Sequence, residues 1–219
     1  MIDRSRFSGF RVVLAREDQF DLVLEARRQA YAEIVTRIGP SAAAMSDEFD
    51  GMPNSRSYLL YGPGGEIAGT VRASVHAAAF QWARLPVAKY HPEEMARLGN
   101  GRILAIQSSM LGVSPEFREF GQFPTLALVR AVFGAALAFR ADHFLTLVEP
   151  RPARRKFWGR IGWRAFDPPV PHPFAKDGVA LLIGSVAESL EIARRSPEFG
   201  VLSEFAARIS ACESFPENV

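Results

Sequence analysis

The chain has 219 residues, 48% of them apolar and 23% charged, which is enough hydrophobic material for one full core and speaks against wholesale disorder. Its 26 Lys+Arg against 24 Asp+Glu leave a formal net charge of +2, without the basic bias or reading motif of a nucleic-acid protein. A lone Cys212 excludes an internal disulfide, and no apolar run reaches the roughly 20 residues of a membrane-spanning helix, so a single cytoplasmic domain over residues 1–219 is expected, with no signal peptide at its start.

Phe10 to Ala15 reads as a short first strand. Gln19 to Ile38 reads as an amphipathic helix, from the spacing of Phe20, Val23, Leu24, Tyr31, Ile34 and Val35, with Gly39-Pro40 as its stop. A loop runs through Asn54. Ser57 to Tyr61 and Glu66 to Val75 then read as strands joined by Gly62-Pro63-Gly64-Gly65, a hairpin signal. Phe80 to Asn100 is a long connection, helical near Pro92 to Leu98, whose length suits a covering loop.

Ile103 to Val113 is the next strand, Gln122 to Phe139 a long apolar helix, and Phe144 to Val148 a buried strand. Arg154 to Ile161 reads as a short basic helix ended by Gly162. Trp163 to Phe166 and Gly178 to Gly184 are the last strands, with the prolines from Pro168 to Pro173 as a stiff extended loop between them. Ala187 to Arg195 and Leu202 to Ser210 are terminal helices, an extension over residues 186–211. The order predicts an α/β (α+β) fold: a mixed sheet with helices on both faces.

The chemistry concentrates between a strand and the long helix, in Val113, Pro115, Arg118, Glu119, Phe120, Gly121, Gln122 and Phe123. A helix start leaves backbone N–H groups unpartnered and carries partial positive charge. Gly121 lets the chain turn so that such groups meet a phosphate, and Arg118 can add bidentate contacts. The segment suits the pyrophosphate of coenzyme A or the phosphate of a carrier-bound pantetheine arm. A plain strand-to-helix turn with a solvated arginine fits the same letters. The four histidines, His76, His91, His143 and His172, have no metal-ligand spacing, so no metal site is expected.

Val113, Pro115, Arg118 and Gly121 resemble the phosphate loop of the GNAT acyltransferase superfamily, although Phe123 stands where that family has a small residue. Trp158-Gly-Arg-Ile-Gly162-Trp163 is similar to the family's helix-and-glycine segment, with Trp158 where many acetyltransferases have a tyrosine. An indole cannot protonate a leaving thiolate as that tyrosine would. Arg27 and Tyr31, the Asp47-Glu-Phe-Asp50 loop, and Gly69-Thr-Val-Arg72 follow in the order seen in N-acyl amino acid synthases and acyl-homoserine-lactone synthases.

That resemblance, scattered from about Arg27 to Trp163, implies a mostly antiparallel sheet with one splayed strand pair and a thioester slotted into the gap. It implies a charged cluster of Arg27, Tyr31, Asp47, Asp50 and Arg72 on the acceptor side, where carboxylates hold an ammonium and arginines a carboxylate. An ion-paired network that only orders the loop is the competing reading. The lactone synthases carry Glu-x-Ser-Arg on the central strand, and here the letters are Gln107, Ser109 and Met110. Gln107 accepts no proton, so the base falls to Glu149, His76, a cluster aspartate or water.

The expected activity is transfer of a medium or long acyl chain from acyl-CoA or an acyl carrier protein to the amine of an amino acid or similar molecule. No tightly bound cofactor is expected. Arg151, Arg154, Arg155 and Lys156 form a basic run suited to an acidic carrier, to coenzyme A phosphates, or to plain solvation. A non-catalytic thioester-binding protein and an ordinary acetyltransferase are the alternatives. The phenylalanines near the expected gap suit a lipid tail, or simply a core.

Overall fold

The computed structural model describes residues 9–33, 45–76, 85–98, 104–172 and 175–196. Its strands are β1 (Arg11–Leu14), β2 (Ser55–Tyr61), β3 (Ile67–His76), β4 (Ala105–Val113), β5 (His143–Val148), β6 (Arg164–His172) and β7 (Ala175–Ser185). They form one seven-stranded sheet in the order β1-β2-β3-β4-β5-β7-β6. Among the described residues only β4 and β5 run parallel, and the other pairs are antiparallel. The parallel pair needs a crossover, and the long apolar helix supplies it.

The helices are α1 (Phe20–Ala30), α2 (Pro86–Tyr90), α3 (Pro92–Arg97), α4 (Phe123–Ala138), α5 (Pro152–Gly159) and α6 (Val186–Arg195). Helix α4 is apolar all round and buried along most of its length, as such helices must be. It shares the main core with Val71, Ile106, Phe144, Leu182 and the α6 residues Val186 and Leu190. On the other face α1 packs Val23 and Ala26 on Leu59, and α2 and α3 bring Leu85, Val87 and Met95 onto Ala105, Leu145 and Leu181. Each fully buried aliphatic or aromatic side chain contributes about 1.5–3 kcal/mol, so the two-sided packing is what holds the sheet.

Three boundaries differ from the sequence reading. The first helix is interrupted at Tyr31, at φ −109°, and Ala32 and Glu33 are helical again; the expected remainder, from Ile34 to Ile38, lies outside the described residues, as do the helix expected at Leu202 to Ser210 and Cys212. Helix α2 was not expected, being too short for periodicity to reveal; its signal was Pro86 at a first helical position. Of the prolines expected to form a loop, Pro168, Pro169 and Pro171 belong instead to β6, and Pro173 lies outside the described residues. Strand β6 is a sheet edge whose pairing with β7 is irregular between Phe166 and Val170, and an edge position asks for no N–H from Pro168 or Pro169.

Candidate functional site

Strands β4 and β5 pair in register from Ala105–His143 to Ser108–Thr146 and then part. Strand β4 runs on to Val113 and β5 to Val148, so Ser109–Val113 and Leu147–Val148 face one another across a gap with no pairing among them. The cause is visible on the β3 side. Arg72 pairs with Ser109 but Thr70 with Gly112, so Met110 and Leu111 stand opposite Val71 alone. This β-bulge bends the strand, with Met110 at φ +51°.

Helix α1 grips the bulged end. Tyr31 Oη donates to Leu111 O at 2.7 Å. Gly112 lies so close to α1 that a Cβ there would sit 2.7 Å from Ala30 Cβ and 3.1 Å from the Tyr31 ring. Tyr31, expected to meet substrate, thus anchors the open edge of β4. Neither Gly112 nor its reason was singled out from the sequence; a glycine inside a strand was the available signal.

The charged cluster assembles as four side chains bonded to one another. Arg27 Nη1 and Nη2 donate to Asp50 at 2.7 and 2.8 Å, and Nη1 also to Met45 O at 2.8 Å. Arg72 reaches Asp50 at 2.8 Å and chelates Asp47, with Nη2 at 2.9 Å from Oδ2, while its Nε donates to Ser109 Oγ at 3.0 Å. Arg27 and Arg72 are buried, at 0% and 1% exposed. Burial pushes the Asp50 carboxyl up, but the hydrogen bonds and charge of Arg27, then the charge of Arg72, outweigh it and hold Asp50 below the usual range. Two positive and two negative charges close the network. The four charges face each other and pin the 45–54 loop across β2, β3 and β4.

The segment expected to meet a phosphate is a tight turn, Pro115–Phe120, leading through Gly121 and Gln122 into α4. Gly121 adopts φ 68° and ψ −133°, which only glycine reaches without strain, while nothing lies within 4 Å of where its Cβ would be. Arg118 does not aim at the loop's mouth. It donates to Val113 O at 3.2 Å, to Ala30 O at 2.9 Å and to Glu33 at 3.3 Å, so it clips the loop to the end of α1. Free helix-end carbonyls attract a guanidinium, which explains the diversion. Phe120 turns inward onto Phe10 and Phe117, at ring distances of 5.3 and 6.2 Å; Glu119 is exposed, and Gln122 and Phe123 are half-buried. Pro124, which the sequence reading passed over, stands in the first turn of α4 and offers no N–H.

Of the residues proposed for chemistry, Gln107 and Glu149 are buried beside the gap. Gln107 Oε1 accepts from Val87 N–H at 3.0 Å. Glu149, just past β5, bonds Arg151 Nε at 2.8 Å. Ser109 is taken by Arg72. Trp158 stacks on Trp163 at 4.5 Å, which stacks on Phe144 at 5.1 Å, inside the main core, where burial of the indole is favourable. Lys89 on α2 bonds Glu48 of the pinned loop at 2.8 Å. The His172 and Tyr90 rings meet at 4.5 Å; burial, then Lys89, pushes His172 down, against a smaller pull upward from Glu149. Among the described residues no group of three or more His, Cys, Asp or Glu is arranged to hold a metal ion, and no helix is long and apolar enough to cross a membrane.

A sheet opened between its two parallel strands, a bulge that opens it, and a glycine turn into the crossover helix together define an acyltransferase of the GNAT fold. The family model of the N-acyl amino acid synthase FeeM matches residues 23–184, and the chain belongs to that family. The solved structure of FeeM from uncultured soil microbes is similar at a TM-score of 0.63 and 16% identity, over 83% of this chain and 93% of that one. The CoA-dependent acyl-homoserine lactone synthase MesI is similar at a TM-score of 0.57 and 18% identity, over 87% and 95%. Spermidine N-acetyltransferase from Vibrio cholerae, in complex with CoA and spermine, gives 0.54 and 9%, over 84% and 99%. No curated protein sequence matches the chain.

Proposed function

We propose that this acyltransferase moves a medium or long acyl chain from a pantetheine thioester to the amine of an amino acid or similar small molecule. The observation that carries the reading is the gap: β4–β5 pairing ends at Ser108–Thr146 while both strands continue. A thioester arm laid in that gap meets strand N–H groups that stabilise the oxyanion without any side chain. The amine nitrogen attacks the thioester carbon, the C–N bond forms, the C–S bond breaks, and the ammonium proton ends on the departing thiolate or on a base. Glu149, buried at the end of β5, is the carboxylate placed to take it. The family name supports an amino acid as the acceptor.

The donor is a substrate rather than a resident cofactor. Pro124 removes one amide from the first turn of α4 and Phe123 adds bulk beside it, which favours the single phosphodiester of a carrier-bound arm over the pyrophosphate of coenzyme A. An acidic carrier would be steered to Arg151 and to α5, the helix that carries Arg154, Arg155 and Lys156, next to the gap in a cytoplasmic setting. Gln107, standing where the lactone synthases have an acid, keeps a second reading in view, a protein that binds the thioester and does not transfer it.

Decanoyl thioesters of coenzyme A and of an acyl carrier protein, each incubated with the chain and a set of amino acids, separate these readings by mass spectrometry. Acyl transfer predicts amide and free thiol in equal amounts, faster from the carrier. Thiol without amide contradicts it, and thioester bound but unconsumed supports the second reading.

A further inference from the structure

Gln107 stands at the root of the gap, paired in register with Ser74 on β3 and Leu145 on β5, one residue before the last β4–β5 pair. Its side chain is fully buried on the face covered by α1 and α2. A backbone N–H is a donor only, so the bond from Val87 N–H to Oε1 fixes the amide's orientation and turns Nε2 away from α2. Among the described residues Nε2 has no hydrogen-bond partner. A buried donor without an acceptor has lost its hydration for nothing, and native proteins keep few such groups unless a ligand or water completes them.

Water is poorly held at this place. It needs two to four polar partners, whereas Gln107 is flanked by Ala105, Leu145 and Val87, and the Ser74 hydroxyl is already bonded to Ser55 at 2.7 Å. The neighbouring cations are engaged too, since the terminal guanidinium nitrogens of Arg27 and Arg72 are bonded to Asp47 and Asp50. The acyl tail brings only its thioester carbonyl, and the amide oxygens of the pantetheine arm lie behind that carbonyl towards the Gly121 turn, so the donor's oxygens belong to the unpaired stretch after Ser108. The oxygen left to complete Nε2 is one on the acceptor.

From this we infer that Gln107 binds the acceptor through a carboxylate oxygen donated to by Nε2, and so selects amines that carry a carboxylate beside the nitrogen. The inference rests on the acyl-transfer reading and adds the group that reads the acceptor.

The test compares two products that differ only in that carboxylate, N-decanoyl-L-phenylalanine and N-decanoylphenethylamine, by calorimetry. Wild-type protein is expected to bind the phenylalanine product at least roughly tenfold more tightly, the scale of one hydrogen bond to a charged group. In an amide-proton NMR spectrum only that product should move the Gln107 side-chain resonances. Gln107→Glu keeps an acceptor for Val87 N–H but replaces the donor, so it should fold and lose the preference. Equal affinity for the two products, or a preference unchanged in folded Gln107→Glu, overturns the inference and leaves acyl transfer standing. No binding of either product, together with no amide formed in the transfer assay, overturns both. If Gln107→Glu fails to fold, the wild-type comparison and its side-chain resonances decide alone.

Discussion

Asp50 receives hydrogen bonds from both Arg27 and Arg72 with its side chain 4% exposed. Removing one member of such a network strands a buried charge, which costs about 3–5 kcal/mol even where the intact network itself adds little net stability. The Asp50 carboxyl is held below its usual range when folded, so its stabilisation is complete above the ordinary carboxylate pKa near 4 and disappears as pH falls below it. Asp50→Asn should therefore be destabilised by about 3 kcal/mol at neutral pH. Its urea-unfolding stability should approach that of the wild type as pH drops below about 4. Parallel pH curves for the two proteins would remove the ionised network from the account. The residues of this cluster were legible in the sequence as letters in order, Arg27, Asp47, Asp50 and Arg72. Their mutual saturation was not, because a sequence gives charge and spacing but no bond partners.

Elements carry the next level. Strand β4 is legible as an apolar run, but its bulge is not, because nothing in Ser109-Met110-Leu111 forces a residue out of register; α1 does so from outside through Tyr31 and Gly112. The turn at Gly121 was legible, since a glycine ahead of a long apolar helix signals a left-handed position. The partners of Arg118 were not legible for a tertiary reason: the carbonyl of Ala30 on α1 lies within its reach and takes one of its donors. Gly121→Ala tests the turn by conformation alone, as no atom stands where the new methyl would go. It should lower stability by about 1–3 kcal/mol and raise the KM for thioester while leaving the acceptor KM unchanged. An unaltered donor KM would detach this loop from donor binding.

At the scale of the whole molecule, the sheet separates two faces with different tasks. One face, under α4, α5 and α6, is a continuous apolar and aromatic core that includes Phe133, Phe144, Trp158 and Trp163. The other is shared among α1, α2, α3 and the pinned 45–54 loop and holds every buried charged side chain of the network. The aromatic residues near the gap are thus explained by packing, and the sequence could not decide this, since apolar letters read alike in a core and in a lipid tunnel. The layered α/β order was readable from periodicity, whereas the split depends on pairing between residues far apart in the chain, such as Ala105 and His143, beyond any local pattern. Amide hydrogen exchange with S-decyl-phosphopantetheine, the arm common to both donors, is the most direct measurement. Protection confined to Ser109–Val113 and the turn from Ser114 to Gln122 is predicted, and exchange unchanged there at saturating analogue, or protection appearing elsewhere, would contradict a thioester lying between β4 and β5.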